Sequence, residues 1–112
     1  MPYEFNGNTI DTDANGFLLN LDDWSRDLAE HIAQREGLTL TQQHWDIIDY
    51  LRDAYLNNNG EQPNTRHIVK AMSDKWSRNV SQKDVYDLFP KDPSKQGGRV
   101  AGLPESRRKG GY

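Results

Sequence analysis

Residues 41–57 carry the pattern that most restricts the fold. His44, Trp45, Ile48, Leu51 and Tyr55 recur at helical spacing, and Ile47, Tyr50 and Ala54 widen the stripe. So broad a stripe leaves little polar circumference, which predicts a central, largely buried helix. Thr41 stands where its N-cap belongs, and Asn57-Asn58-Asn59-Gly60 ends it. The cover for this helix must come from a chain of 112 residues, 34% apolar and 28% charged. That length makes one domain with a modest core. Large aromatics must therefore be used well, and Trp24, Trp45 and Trp76 each fall inside an apolar-periodic segment.

The flanking segments read in the same way. Tyr3-Glu4-Phe5 alternates, Asn6-Gly7 is a strong hairpin turn, and Thr9-Ile10-Asp11 follows, so the chain opens with a β-hairpin. Asn15-Gly16 marks a second turn before Phe17-Leu18-Leu19. Asp22 is the expected N-cap of a first helix with Trp24, Leu28 and Ile32 on one face, closed by Gly37. Asn64 or Thr65 opens a third helix carrying Ile68, Val69, Met72 and Trp76, and Ser81 caps a short fourth holding Val85, Leu88 and Phe89, stopped by Pro90. Asp92-Pro93-Ser94 begins a last helical turn through Gln96, and Gly97-Gly98 reads as a flexible joint.

Several chemistries are excluded. With no cysteine in the chain, disulfides, thiolate catalysis and thiolate-bound metal are ruled out. His31, His44 and His67 fall on three predicted helices with no pair at ligand spacing, so no metal site is expected, and no cofactor motif is present. His44 beside Trp45 reads as a histidine at the edge of the core. Asp46, Asp49 and Asp53 read as a solvated face. No apolar run approaches the roughly 20 residues that span a bilayer, and the first residues lack a secretory pattern, so a cytoplasmic protein is expected, with no membrane partner.

Charge is divided unevenly. Residues 1–90 hold eight Lys/Arg against fifteen Asp/Glu, a net −7, whereas residues 91–112 hold six against two, a net +4. A basic tail on an acidic body points to something acidic that the tail meets. Nucleic acid is one candidate, through a helix-turn-helix pair at 64–78 and 81–89. That region holds five cations against three carboxylates, a thin footprint for phosphate contact.

A chain-long series of short motifs resembles the DsrC/TusE family. They are Asp13-Ala14-Asn15-Gly16-Phe17-Leu18, Trp24-Ser25, His44-Trp45-Asp46-Ile47-Ile48, Leu51-Arg52-Asp53-Ala54-Tyr55, Lys70-Ala71-Met72, Leu88-Phe89-Pro90, Pro93-Ser94-Lys95-Gln96 and Ala101-Gly102-Leu103-Pro104. The resemblance implies a mainly α fold, a compact orthogonal helical bundle with an N-terminal β-hairpin and a flexible C-terminal arm. Residues 1–96 would form the bundle and residues 97–112 the arm. It also implies sulfur carriage or sulfurtransferase activity: TusE-like members pass persulfide sulfur toward tRNA thiolation, and DsrC-like members work with dissimilatory sulfite reductase.

The family's arm cysteine falls on Lys109 when counted from Gly-Leu-Pro, or on Gly111 as the next-to-last residue. The second cysteine of DsrC-like members falls on Gly98. None of these positions holds a thiol, and Glu105-Ser106 replaces the family's usual Lys-Pro. A serine hydroxyl cannot replace a thiolate in sulfane transfer. No catalytic residue is therefore expected. The expected role is a non-catalytic binding or regulatory homologue, docking to a sulfur-relay or sulfite-reductase protein through Arg99, Gly102, Leu103, Pro104, Arg107, Arg108 and Lys109. Two alternatives stand beside it: a helix-turn-helix regulator of sulfur genes, and an engineered cysteine-free form of a sulfur carrier.

Overall fold

The computed structural model describes residues 3–105. Its elements are β1 (Tyr3–Phe5), β2 (Asn8–Ile10), one 3-10 turn (Leu21–Asp23), α1 (Arg26–Arg35), α2 (Gln42–Asn57), α3 (Thr65–Trp76), α4 (Gln82–Leu88) and α5 (Pro93–Val100). β1 and β2 pair antiparallel with Tyr3 opposite Ile10. Asn6 and Gly7 hold φ of 53° and 79°, the left-handed pair that a tight two-residue hairpin requires. The next turn is built by Asp13, whose Oδ1 accepts the backbone N–H of Asn15 at 2.8 Å and of Phe17 at 3.0 Å. A bridge from Thr12 to Leu18 closes it.

Side-chain caps set most helix starts. Asn64 accepts from the His67 N–H and Ser81 from the Asp84 N–H, as their positions in the sequence predict. Thr41 and His44 form a reciprocal capping box at α2. The first helix differs from expectation. Asn20 caps the 3-10 turn that contains Asp22, and Ser25 caps α1 by accepting from the Leu28 N–H. Trp24 lies between the two, in extended conformation. Its ring is thereby released from the helix face and turned toward the C-terminal segment.

The core joins Leu28 and Ile32 of α1, Ile47, Ile48 and Leu51 of α2, Ile68 and Met72 of α3, Val85 of α4 and Phe89 at its end. α2 packs on α3 and α5, while α5 is in contact with each of α1, α2, α3 and α4. The short last helix is thus as central as the long striped one. Gly97 makes this approach feasible, because a Cβ there would sit 3.0 Å from the Leu51 Cδ1. The expected Gly97-Gly98 joint is accordingly absent: both glycines are buried inside α5, which runs four residues beyond Gln96. Packing of a glycine face against α2 has overridden the local preference of a Gly pair for flexible backbone.

Candidate functional site

The end of α5 and the residues after it form a strap held by side chains from distant parts of the chain. Gly102 terminates the helix with φ of 75°. Its N–H donates to the Arg99 carbonyl at 3.1 Å, and the Leu103 N–H donates to the Gly98 carbonyl at 3.0 Å. This is the paired bonding of a Schellman end, with glycine at the left-handed position and an apolar residue following it into the core. Leu103 fills that role at 1% exposure. Ala101-Gly102-Leu103-Pro104 is therefore a helix terminator in physical terms: a cap, a left-handed glycine, an apolar anchor and a residue that cannot continue the helix.

Four side chains clamp the strap. The Trp24 indole N–H donates to the Val100 carbonyl at 2.9 Å, and the Arg52 guanidinium donates to the Ala101 carbonyl at 2.7 Å. Arg52 also lies 3.9 Å over the Trp24 ring, so indole and guanidinium form one stacked clamp. Burial pushes the Arg52 guanidinium below its ordinary pKa, opposed by the nearby Asp49 carboxylate. Gln62 donates to the Pro104 carbonyl at 2.7 Å, and Asn15 donates to both carboxylate oxygens of Glu105 at 2.9 and 3.1 Å. The strap's carbonyls are thus satisfied by donors that lie 42 to 76 residues away in sequence.

A second anchor lies one turn earlier. Arg99 pairs with Glu36 at 3.0 Å, and both side chains are mostly buried. The other Glu36 oxygen accepts from Gln96 at 2.8 Å, and Gln96 in turn accepts the Lys91 N–H. Arg99 also sits 5.0 Å from the Phe17 ring centroid. Nearby, the Tyr3 hydroxyl donates to the Gly16 carbonyl, and its pKa is raised by burial first and then by the Glu36 carboxylate. This polar cluster ties hairpin, turn, α1 and α5 together.

Of the site residues expected from sequence, Arg99, Gly102, Leu103 and Pro104 meet in this strap. Arg99 and Leu103 face the body, and Pro104 is half-buried. Arg107, Arg108, Lys109 and Gly111 lie outside the described residues. Gly98, the position the resemblance matches to a second cysteine, is buried, yet a Cβ there would meet no atom within 4 Å. It lines a crevice of about 10 Å³ beside Phe17, Leu51, Ser94 and Leu103, room for about one water molecule. Sequence reasoning missed Trp24, Arg52, Gln62 and Asn15 as strap holders. Trp24, Arg52 and Asn15 stand within motifs that carried the resemblance, which was the available signal.

The other expectations sort as follows. His44 is buried and structural: its Nδ1 accepts the Thr41 backbone N–H at 3.0 Å, so its Nε2–H donates to the Leu88 carbonyl at 2.8 Å. Burial lowers its pKa, partly offset by that carbonyl bond. The Asp46–Asp53 face is wired rather than merely solvated, since Asp46 accepts from the Trp76 indole at 2.7 Å and Asp49 pairs with Arg26 at 3.3 Å. Among the described residues no group of three His, Asp or Glu is placed to hold a metal ion. No helix among them is long and apolar enough to cross a membrane. The α3–α4 pair exists, but Arg78 is paired with Asp84 and Lys83 with Asp87. Two of the pair's five cations are thus neutralised by its own carboxylates, and nucleic-acid binding through it is not supported.

Comparison with known proteins places these features in context. The family model described as DsrC like protein matches residues 4–108. Sulfurtransferase TusE of Sodalis glossinidius (strain morsitans) is 45% identical over 103 residues, covering 91% of this chain and 94% of the relative. Sulfurtransferase TusE of Escherichia coli (strain K12) is 41% identical over 102 residues, covering 90% and 93%. Among solved structures, DsrC of Allochromatium vinosum superposes with a TM-score of 0.85 at 37% identity, covering 96% of this chain and 98% of that one. The oxidized gamma-subunit of the dissimilatory sulfite reductase (DsrC) from Archaeoglobus fulgidus superposes at 0.86 with 32% identity and the same coverage.

Proposed function

Because the chain belongs to the DsrC-like protein family, we propose that it is a cytoplasmic docking protein of the sulfur-relay class that engages a family partner without carrying sulfur itself. The observation that carries this reading is the pairing of a complete scaffold and clamped strap with the lack of any cysteine among the 112 residues. Sulfane transfer requires a thiolate to attack a persulfide and become persulfidated in turn. No residue of this chain can do so. What is retained is the part of the molecule that presents a C-terminal segment to another protein.

The strap supports a presenting role. Residues 102–105 are held by Trp24, Gln62 and Asn15, which fixes the position of Glu105 on the body. The proposed contact residues are Arg107, Arg108 and Lys109, which supply the charge, while the inward-facing Arg99, Gly102 and Leu103 and the half-buried Pro104 hold the segment before them in place. The partner is a sulfurtransferase or a sulfite-reductase-type protein that offers an acidic surface to this run.

Calorimetric titration against a purified sulfurtransferase that loads TusE-like relatives tests the reading. The chain is expected to bind. Replacing Arg107, Arg108 and Lys109 together by alanine is expected to weaken binding by about tenfold at low salt, since exposed pairs are worth about 0.2–1 kcal/mol each. The difference should shrink as salt rises. Failure of the unaltered chain to bind either class of partner overturns the proposal.

A further inference from the structure

We propose that Asn6-Gly7 is a modification site: the Asn6 side chain rearranges through a cyclic imide to aspartate and isoaspartate, and the isoaspartyl form unpins the N-terminal hairpin from α1. The chain holds three Asn-Gly pairs, at 6–7, 15–16 and 59–60. In each, a glycine without Cβ leaves its backbone nitrogen unhindered beside a carboxamide, the pairing that favours ring closure. The structure sets the three apart. The Asn15 amide donates to both carboxylate oxygens of Glu105, the Asn15 N–H donates to Asp13 Oδ1 at 2.8 Å, and the Gly16 N–H donates to the Asp13 carbonyl at 3.1 Å. The Gly60 N–H donates to the Tyr55 carbonyl at 2.9 Å. Among the described residues no hydrogen bond holds the Asn6 side chain or the Gly7 N–H, and both residues are exposed.

The Gly7 nitrogen, deprotonated by hydroxide, attacks Asn6 Cγ. The N–Cγ bond forms, the Cγ–Nδ2 bond breaks, and Nδ2 leaves as ammonia with the proton that Gly7 has lost. Water then opens the imide at either carbonyl. One opening leaves aspartate, the other an isoaspartate whose backbone runs through the side chain; nothing is oxidised or reduced. Ring closure requires the tight turn to open, and the hairpin opens readily. β1 and β2 pair over three residues each, a ribbon that is marginal without its docking. The rings of Tyr3 and Phe5 lie against His31, with centroids 6.2 and 5.4 Å apart, and His31 Nε2 is buried without a hydrogen-bond partner among the described residues. Lifting the hairpin hydrates that nitrogen, which lowers the cost of local opening. Freeing Asn15 instead breaks its bonds to Asp13 and Glu105, and freeing Gly60 breaks the bond that ties it to the last turn of α2. The isoaspartyl product adds a methylene to a two-residue turn that needs left-handed φ at both positions. The Phe5–Asn8 pair can no longer close in register, and Tyr3 and Phe5 leave His31.

The test needs no partner and is independent of the docking role proposed above. The full chain is aged in warm, mildly alkaline buffer, once folded and once in denaturing urea, and peptide maps give the conversion rate at each pair. Each event adds about 1 Da, ammonia leaving and water entering. In the folded chain Asn6 should convert fastest, within about threefold of its rate in urea, while Asn15 and Asn59 should be slowed by about tenfold or more. An Asn6→Gln variant, whose longer side chain closes a ring far more slowly, should lose the first mass gain. Conversion of Asn15 or Asn59 as fast as Asn6 in the folded chain overturns the proposal, as does an unchanged first mass gain in Asn6→Gln. The isoaspartyl form, separated by ion exchange through its added negative charge, should lack the cross-strand amide NMR contacts between Tyr3–Phe5 and Asn8–Ile10 while the α2 and α5 resonances stay in place. A product that keeps those contacts refutes the unpinning.

Discussion

Replacing Gly102 with alanine should loosen the strap more than any other glycine-to-alanine change at a positive φ. Two costs act together. The left-handed backbone at φ 75° penalises an L side chain by about 1–2 kcal/mol. In addition, the new Cβ would fall 2.2 Å from Trp24 Cδ1 and 2.6 Å from Cγ. That ring cannot swing away freely, because it is bonded to Val100 and stacked under Arg52. Overpacking of this kind costs about 1–3 kcal/mol. The total is about 2–5 kcal/mol, or a fall in Tm of about 10–20 °C for a domain of this size. Gly7 provides the control. Its φ is 79°, but a Cβ there meets nothing within 4 Å, so Gly7→Ala should carry the backbone cost alone. Thermal and urea unfolding of both variants, each also in a Trp24→Ala background, isolates the contact. With the indole removed, the Gly102→Ala increment should fall toward that of Gly7→Ala, the Trp24 Cβ at 2.8 Å being the close contact that remains. If Gly102→Ala is no worse than Gly7→Ala in the native background, the clamp described here does not exist.

Three further outcomes follow from the same geometry. Gly98→Ala should stabilise by about 0.5–1 kcal/mol, because it removes glycine from a helix interior without meeting an atom, whereas Gly97→Ala, with its Cβ 3.0 Å from buried Leu51, should be the less favourable of the two by urea midpoint. His44 has its folded pKa lowered by burial, so below its ordinary value of 6.5 the unfolded chain binds more protons than the folded one. Stability should then fall as pH drops through 6.5 toward the lower folded value, and the urea midpoint of His44→Gln should lose this part of the pH dependence. Arg99→Met should cost about 2–4 kcal/mol by leaving the Glu36 carboxylate mostly buried with only Gln96 as a side-chain donor, and Glu36→Gln in the same chain should recover part of that loss in thermal unfolding.

Much of the fold is legible because its signals are local. Asn6-Gly7 dictates its own turn, and Thr41, Asn64 and Ser81 each stand directly before an apolar-periodic run. Ser25 was obscured by crowding: Asn20, Asp22, Asp23 and Ser25 can all cap, and which one does depends on where Trp24 finds its partner. Gly97-Gly98 misleads for a related reason. A glycine pair looks the same whether it frees the backbone or lets two helices approach, and only Leu51 on α2 distinguishes them. The Schellman terminator at Ala101–Pro104 escapes the sequence reading, which ends the helix at Gln96 and takes residues 97–112 as a flexible arm. Its holders escape it too, since a carbonyl that accepts from Trp24 or Arg52 leaves no mark on the residue type that bears it.

The central claim, docking without sulfur carriage, is tested most directly by one competition experiment read by intact mass. A cysteine-bearing TusE-like relative is loaded by its persulfide donor while increasing amounts of this chain are added. The account predicts that loading of the relative slows in proportion to the added chain, and that this chain gains no mass. A gain of about 32 Da on this chain, one sulfur atom, contradicts the claim that it carries none. Undiminished loading of the relative at saturating chain contradicts the claim that it docks.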